Sequence, residues 1–204
     1  MSTFVDLSVV LDEKTPVYPG DPATSILPAG VLSKDGYCDH HVSIGTHVGT
    51  HMDAPAHMLE SGKSLEQISI EKFVGRGVYV RTGKDINIES FKEAELQEGD
   101  IVLVHTGMSD EYYSSSYFET YPVLSEEIAE YLIEKRIAAV GLDTCSPDKA
   151  PFPIHKLLLQ NDILIIENLT NLAALEGKEF RVYAFPIKLA LDGAPVRVVA
   201  EVQD

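Results

Sequence analysis

Between His47 and His57 the chain reads His-Val-Gly-Thr-His-Met-Asp-Ala-Pro-Ala-His. Three of its seven histidines and one aspartate fall within eleven residues. Imidazole and carboxylate are the donor set of zinc, manganese and iron centres, so the chemistry expected of this stretch is metal binding. His47 and His51 stand four apart, the spacing that puts two ligands on one face of a helix in zinc proteases. A helix is rejected here because Gly45, Gly49 and Pro55 break it and Thr46, Val48 and Thr50 are β-branched. Positions 47, 51, 53 and 57 are all odd, so on extended chain their side chains share one face. A straight strand would separate the Cα atoms of His47 and His51 by roughly 13 Å at about 3.3 Å per residue, near the limit for two imidazoles on one ion. The reading therefore needs a bend near Gly49, where the missing Cβ permits it. A lone histidine would be read as a hydrogen-bonded loop residue; three with an acid on one parity point to a site.

A second stretch supplies more donors. Glu167 directly follows the aliphatic run Ile163-Leu-Ile-Ile166. A carboxylate ending a buried strand is costly unless it is paired or bound to a cation. His155 lies twelve residues earlier, at the start of a short expected helix, and a helix plus a turn can fold it back onto Glu167. The alternatives are a salt bridge from Glu167 to a lysine or arginine, and a helix-terminal polar role for His155. Joined to the first cluster, the two complete a site of up to three imidazoles and two carboxylates.

The elements that must position these residues follow from pattern. Phe4 to Leu11, residues 24–33, residues 38–46 and Phe73 to Thr82 read as extended. Between the first two, Thr15 to Pro22 holds three prolines and a glycine and is an ordered loop, either a rigid connector or a carrier of Tyr18 to a pocket. His40 and His41 are read as ordinary polar residues. Ser64-Leu-Glu-Gln67 and Ser90-Phe-Lys-Glu93 match capping boxes, each opening a short helix. Ile101 to His105 is a short buried strand, and 107–124 a long polar connection rich in Tyr and Ser, of the kind that is often functional or mobile. Ser125 to Arg136 is the clearest helix: Ser125 caps it, Glu126 and Glu127 open it, and Lys135 and Arg136 close it. Ala138 to Leu142 and Ile163 to Ile166 are strands flanking a helix from about Ile154 to Gln160. Strand–helix–strand–helix–strand from 101 to 166 implies parallel strands with right-handed crossovers. With two more strands at 181–188 and 195–202 the class is α/β with a mixed, partly parallel sheet. Ligands in such sheets sit beyond the carboxyl ends of strands, here near Thr106, Asp143 and Glu167.

Composition sets the wider bounds. A chain of 204 residues with 45% hydrophobic and 24% charged residues is read as one domain, 1–204. Its net charge of -16 opposes binding to nucleic acid and to anionic membranes. Cys38 and Cys145 form no CxxC or disulfide pattern, which fits a reducing cytoplasm. Cys145 lies near Asp143 and Asp148, and negative charge disfavours a thiolate, so it is read as structural. The N-terminus lacks the basic region of a signal peptide, and no apolar run approaches a membrane span.

His47-x-Gly-Thr-His51-x-Asp53-x-Pro55-x-His57 resembles the signature of the metal-dependent cyclase family, the family of bacterial kynurenine formamidase and isatin hydrolase. The run from His155 to Glu167-Asn-Leu169 resembles its second metal segment. Tyr18-Pro-Gly-Asp-Pro, Gly141-Leu-Asp-Thr-Cys-Ser-Pro-Asp148 and Ala194-Pro-Val-Arg197 fit its other landmarks. The resemblance implies a swivelling β/β/α fold and a homo-oligomer, a homodimer or homotetramer. It implies His47, His51, Asp53, His155 and Glu167 as ligands of one or two divalent ions, zinc first and manganese second, with Asp53 and Glu167 as candidates to bridge two. It makes His57 the catalytic histidine. Tyr18 and Met58 stand at the substrate-binding positions where the formamidases usually carry tryptophan and phenylalanine. The implied activity is hydrolysis of a small amide by activated water, of the arylformamidase type, turning N-formylkynurenine into kynurenine and formate. Hydrolysis of another cyclic amide or lactone is the second reading, and a metal-binding protein without catalysis the third.

Overall fold

The computed structural model describes residues 2–203. Its strands are β1 (Thr3–Asp6), β2 (Ser25–Gly30), β3 (Asp39–Ser43), β4 (His51–Asp53), β5 (Val74–Arg81), β6 (Ile101–His105), β7 (Ala139–Leu142), β8 (Leu164–Glu167), β9 (Phe180–Pro186) and β10 (Gly193–Val202). Its helices are α1 (Leu32–Asp35), α2 (Ile88–Glu93), α3 (Glu126–Glu134) and α4 (Pro153–Gln160). Eight strands form one mixed sheet in the order β1-β10-β4-β8-β7-β6-β5-β9. That sheet curls until β9, already antiparallel to β5, also pairs along β10. The closure leaves β10 carrying β4 along Gly193–Pro195 and β1 along Thr3–Asp6 on its other side.

As the alternation of elements from 101 to 166 implied, β6, β7 and β8 are parallel, and β5 joins them parallel to β6. β6, β7 and β8 are buried along nearly their whole length, which is why their sequences are aliphatic runs, whereas β5 exposes Arg76 and Arg81. Ile101, Leu103 and Ile166 join one apolar cluster with Met52, Val182 and Val198 on the face turned away from the helices. Val102, Val104, Val140 and Ile165 point the other way and pack beneath Ile128 and Leu132 of α3 and Leu158 and Leu159 of α4. Among the described residues no helix is long and apolar enough to cross a membrane.

Four local expectations change. β1 stops at Asp6 instead of running to Leu11: Leu7 N–H still donates to the Val198 carbonyl at 2.9 Å, but the two donors after it are taken by side chains, Asp6 Oδ1 accepting from Ser8 N–H at 3.2 Å and Thr50 Oγ1 from Val9 N–H at 2.9 Å. The second capping box does not form. Asn87 caps α2 instead, its Oδ1 accepting from Ser90 N–H at 3.2 Å. The first box forms, but on a single 3-10 turn, Leu65–Gln67. The 107–124 connection is not a polar excursion: Met108, Tyr112, Tyr117 and Tyr121 pack with Cys145 into a buried cluster. β2 and β3 pair only with each other among the described residues, and every residue of β3, His40 and His41 included, is exposed.

Candidate metal centre

The centre is built where β4 crosses the end of β8. The two strands are antiparallel, and their register sets His51 directly opposite Glu167. Such a pair has its Cβ atoms about 4.5–5.5 Å apart, close enough for both side chains to reach one point. Asp53 shares the face of His51, two residues on. His51 Nε2 lies 3.2 Å from Glu167 Oε2 and 3.4 Å from Asp53 Oδ1.

His47 arrives by the crease expected at Gly49, whose φ of +62° is the left-handed conformation that glycine adopts without strain. The bend returns His47 Nδ1 to within 2.7 Å of Asp53 Oδ1. Only part of this stretch is the extended chain expected of it. His51 to Asp53 is extended, but 47–50 is a turn and Pro55–His57 is a single 3-10 turn. His47 and His57 join the cluster through these turns, not as alternate residues of one strand.

His155 comes from the first turn of α4. Its Nε2 stands 3.2 Å from Glu167 Oε1 and 3.7 Å from Asp53 Oδ2. All five expected ligands therefore converge, and among them only His47 is not fully buried. His57 is close too: a nitrogen of its ring, an oxygen of Asp53 and a nitrogen of His155 lie within 4.8 Å of one another.

Each imidazole of the cluster turns one nitrogen inward and binds a fixed acceptor with the other. His51 Nδ1 donates to the Gly49 carbonyl at 2.9 Å. His155 Nδ1 donates to Asp148 Oδ1 at 2.6 Å, and His47 Nε2 to Asp192 Oδ2 at 2.7 Å. Such outer partners hold ligand rings in orientation and tautomer. Asn168 supports the first of them, its Nδ2 donating to the same Gly49 carbonyl at 2.9 Å while its Oδ1 accepts from Tyr117 OH at 2.9 Å.

Asp148 and Asp192 were not singled out from sequence as site residues. Asp148 carries a usable signal, an acid five residues before the prolyl start of a short helix. Asp192, a lone acid before a glycine, reads as a turn.

The electrostatics are those of a place prepared for positive charge. Burial by itself would lower His47 and His155, yet the facing carboxylates outweigh it. Asp53 and Asp192 carry His47 to about 9, and Asp148 and Glu167 carry His155 to about 10. Asp53 is held below the usual carboxylate range because its histidine neighbours overcome its burial. Two buried atoms at the centre, His51 Nε2 and Asp53 Oδ2, have no hydrogen-bond partner among the described residues. Buried polar atoms are normally satisfied. Orphans facing one another across an N/O donor set are what a bound divalent cation would satisfy, so the residues fit such an ion.

A cavity of about 230 Å³ opens onto the cluster. Tyr18 and Met58 both lie on its wall, with Phe118, Phe152 and His57. Tyr18 packs edge-on against Phe118 at 5.8 Å between ring centres. Burial lowers the pKa of His57, so its imidazole is neutral at pH 7. Its ring lies 3.9 Å from that of His47, tilted by 34°. Cys145 also borders the cavity, but burial first and then the charge of Glu167 raise its thiol, so it remains protonated.

Comparison with known proteins adds four findings. The putative cyclase family matches residues 5–149. An uncharacterized protein of Methanocaldococcus jannaschii is 34% identical over 186 residues, 90% of this chain and 91% of that one. The kynurenine formamidase of Geobacillus thermodenitrificans is 29% identical over 204 residues, 97% of this chain and 96% of that one. Among solved structures, isatin hydrolase A from Labrenzia aggregata, bound to benzyl benzoate, superposes with a TM-score of 0.90 at 25% identity, covering 100% of this chain and 94% of that one.

Proposed function

The chain belongs to the putative cyclase family, and on that premise we propose that it is a metal-dependent hydrolase of a small aryl amide. His47, His51, Asp53, His155 and Glu167 would hold one or two divalent ions, zinc first and manganese second. The observation that carries the reading is the pair of buried, unsatisfied atoms His51 Nε2 and Asp53 Oδ2 at the focus of imidazoles whose outer nitrogens are all engaged.

When bound, a divalent ion supplies Lewis acidity, bringing the pKa of water toward neutrality and polarising a carbonyl. The remaining work belongs to side chains. Tyr18, Met58, Phe118 and Phe152 enclose an aromatic ring and exclude water. His57, neutral and on the cavity wall, takes the proton as the water oxygen bonds to the amide carbon. It returns that proton to the nitrogen as the C–N bond breaks, leaving an amine and a carboxylic acid, which gives up its own proton to solvent as carboxylate.

N-formylkynurenine, yielding formate and kynurenine, is the first substrate proposed, in line with the relative named for that activity. A cyclic aryl amide of the isatin kind is the second, favoured by the structural likeness to an isatin hydrolase at an aromatic cavity of this size. Homo-oligomerisation belongs to the same proposal: the β2–β3 hairpin turns Leu27, Tyr37 and Val42 to solvent, a surface of the kind that a second copy covers. So does a cytoplasmic setting, in which both thiols stay free.

The test offers N-formylkynurenine and isatin to protein loaded with zinc or with manganese. One of the two is hydrolysed, and His57→Ala abolishes turnover while bound metal, counted by elemental analysis, is retained. No hydrolysis of either substrate with either ion refutes the proposal. An unchanged rate in the variant refutes the role of His57.

A further inference from the structure

The loop that enters β10 brings a carboxylate to two histidines at once. Asp192 Oδ2 accepts from His47 Nε2 at 2.7 Å and stands 3.5 Å from His57 Nδ1. The loop is pinned on both sides of the turn that carries His57. Ala54 N–H donates to the Asp192 carbonyl at 2.8 Å, and Leu65 N–H to the Leu191 carbonyl at 3.0 Å. Gly193 allows the close approach, since a Cβ there would lie 2.6 Å from His47 Cε1. Asp192 is therefore held in place by its backbone rather than left to swing on a free loop.

We infer that Asp192 is a positioning residue that selects the tautomer of His57 and holds the Nε2 proton of His47. A neutral imidazole carries one N–H, and the nitrogen that faces a carboxylate is the one that keeps it. The opposite tautomer would set a nitrogen lone pair against a carboxylate oxygen. His47 faces carboxylates at both nitrogens, Asp53 at Nδ1 and Asp192 at Nε2, each at 2.7 Å, so a cation bound at the cluster would displace its Nδ1 proton and leave the Nε2 proton held by Asp192. His57 keeps its proton on Nδ1, which leaves Nε2 as the free base. One carboxylate so couples the ring that binds to the ring that moves the proton. The catalytic part of the inference rests on the proposed hydrolase; the tautomer of His57 does not. His47, His57 and Asp192 are also near enough to share a cation, and this competing arrangement predicts a different outcome.

The experiment uses full-length protein labelled with 15N-histidine, at pH 8, with and without zinc. Long-range proton–nitrogen spectra read each ring's tautomer, and His57→Gln assigns the His57 signals by their loss. Wild type shows His57 as the Nδ1–H form. Asp192→Ala shifts it toward Nε2–H, lowers zinc affinity and saturated turnover each by about 10–100-fold, and leaves zinc stoichiometry and KM unchanged. Asp192→Asn, which keeps one acceptor oxygen, recovers part of the loss. An Nε2–H form of His57 in the wild type, or a tautomer unmoved in a folded Asp192→Ala protein, overturns the inference. Loss of one zinc per chain in that variant also overturns it, in favour of the shared cation. Because the His57 tautomer is read without substrate and without zinc, failure of the hydrolase assay leaves this test intact.

Discussion

Asp148→Asn is the sharpest perturbation of the centre that replaces no proposed ligand. Asp148 is buried and makes three contacts with the start of α4. Its Oδ2 accepts from the backbone N–H of Ile154 at 2.6 Å and of His155 at 3.1 Å, while Oδ1 accepts from His155 Nδ1 at 2.6 Å. Asparagine preserves volume. Its one oxygen can serve the two backbone donors, which leaves its NH₂ against His155 Nδ1, donor facing donor. The ring escapes by giving up its Nδ1 proton and keeping one on Nε2, the nitrogen that faces Glu167 and Asp53. The loss of one buried hydrogen bond to a charged group costs about 1.5–3 kcal/mol. For a domain of this size that lowers Tm by roughly 3–12 °C at about 2–4 °C per kcal/mol. Loss of an outer partner lowers metal affinity by about 10–100-fold. Thermal melts in chelator measure the first quantity, and zinc competition against a fluorescent chelator the second. A Tm within about 1 °C of wild type, together with zinc affinity within about twofold, would refute the claim that Asp148 orients His155.

Two further outcomes follow from the same geometry. With metal removed, His47 and His155 have folded pKa values of about 9 and about 10 against an ordinary 6.5. A raised histidine pKa adds stability that is complete below 6.5 and is lost as pH climbs through the folded value. The chelated protein should therefore melt at progressively lower temperature from about pH 6.5 to pH 10, whereas zinc-loaded protein, its inner protons replaced by the cation, should not follow; a flat profile in chelator would contradict the charge assignments. Gly193→Ala places a methyl 2.6 Å from His47 Cε1 and 3.0 Å from the Met52 carbonyl, so His47 must move. Zinc affinity should drop by about tenfold or more, while Gly49→Ala, whose Cβ meets nothing closer than 3.5 Å, should cost only the left-handed strain of about 1–2 kcal/mol; equal affinities of wild type and Gly193→Ala would show that His47 does not need its present position.

The donor set could be read from the sequence alone, because ligand chemistry is a property of residue type. Four donors in eleven residues and an acid ending an aliphatic run are local facts. The parallel order of β6, β7 and β8 was equally legible, since patterning and crossover handedness act over tens of residues. The Ser125 cap was too, and its oxygen does accept from Ile128 N–H at 3.2 Å. The choice of Asn87 over Ser90 as the cap of α2 turned on which of two nearby polar side chains met the first free amide, which both sequences of events leave open until the chain packs. The register that sets His51 against Glu167 required β4 to be laid beside β8 across more than a hundred residues. Asp192 reaches His47 across 145 positions, and only because β9 and β10 close the sheet and deliver the loop between them to that spot. A local pattern states which atoms can bind a cation. Their distances, outer partners and charge states depend on the closed sheet, because Coulomb and hydrogen-bond energies follow separation in space, and spacing along the chain does not set it.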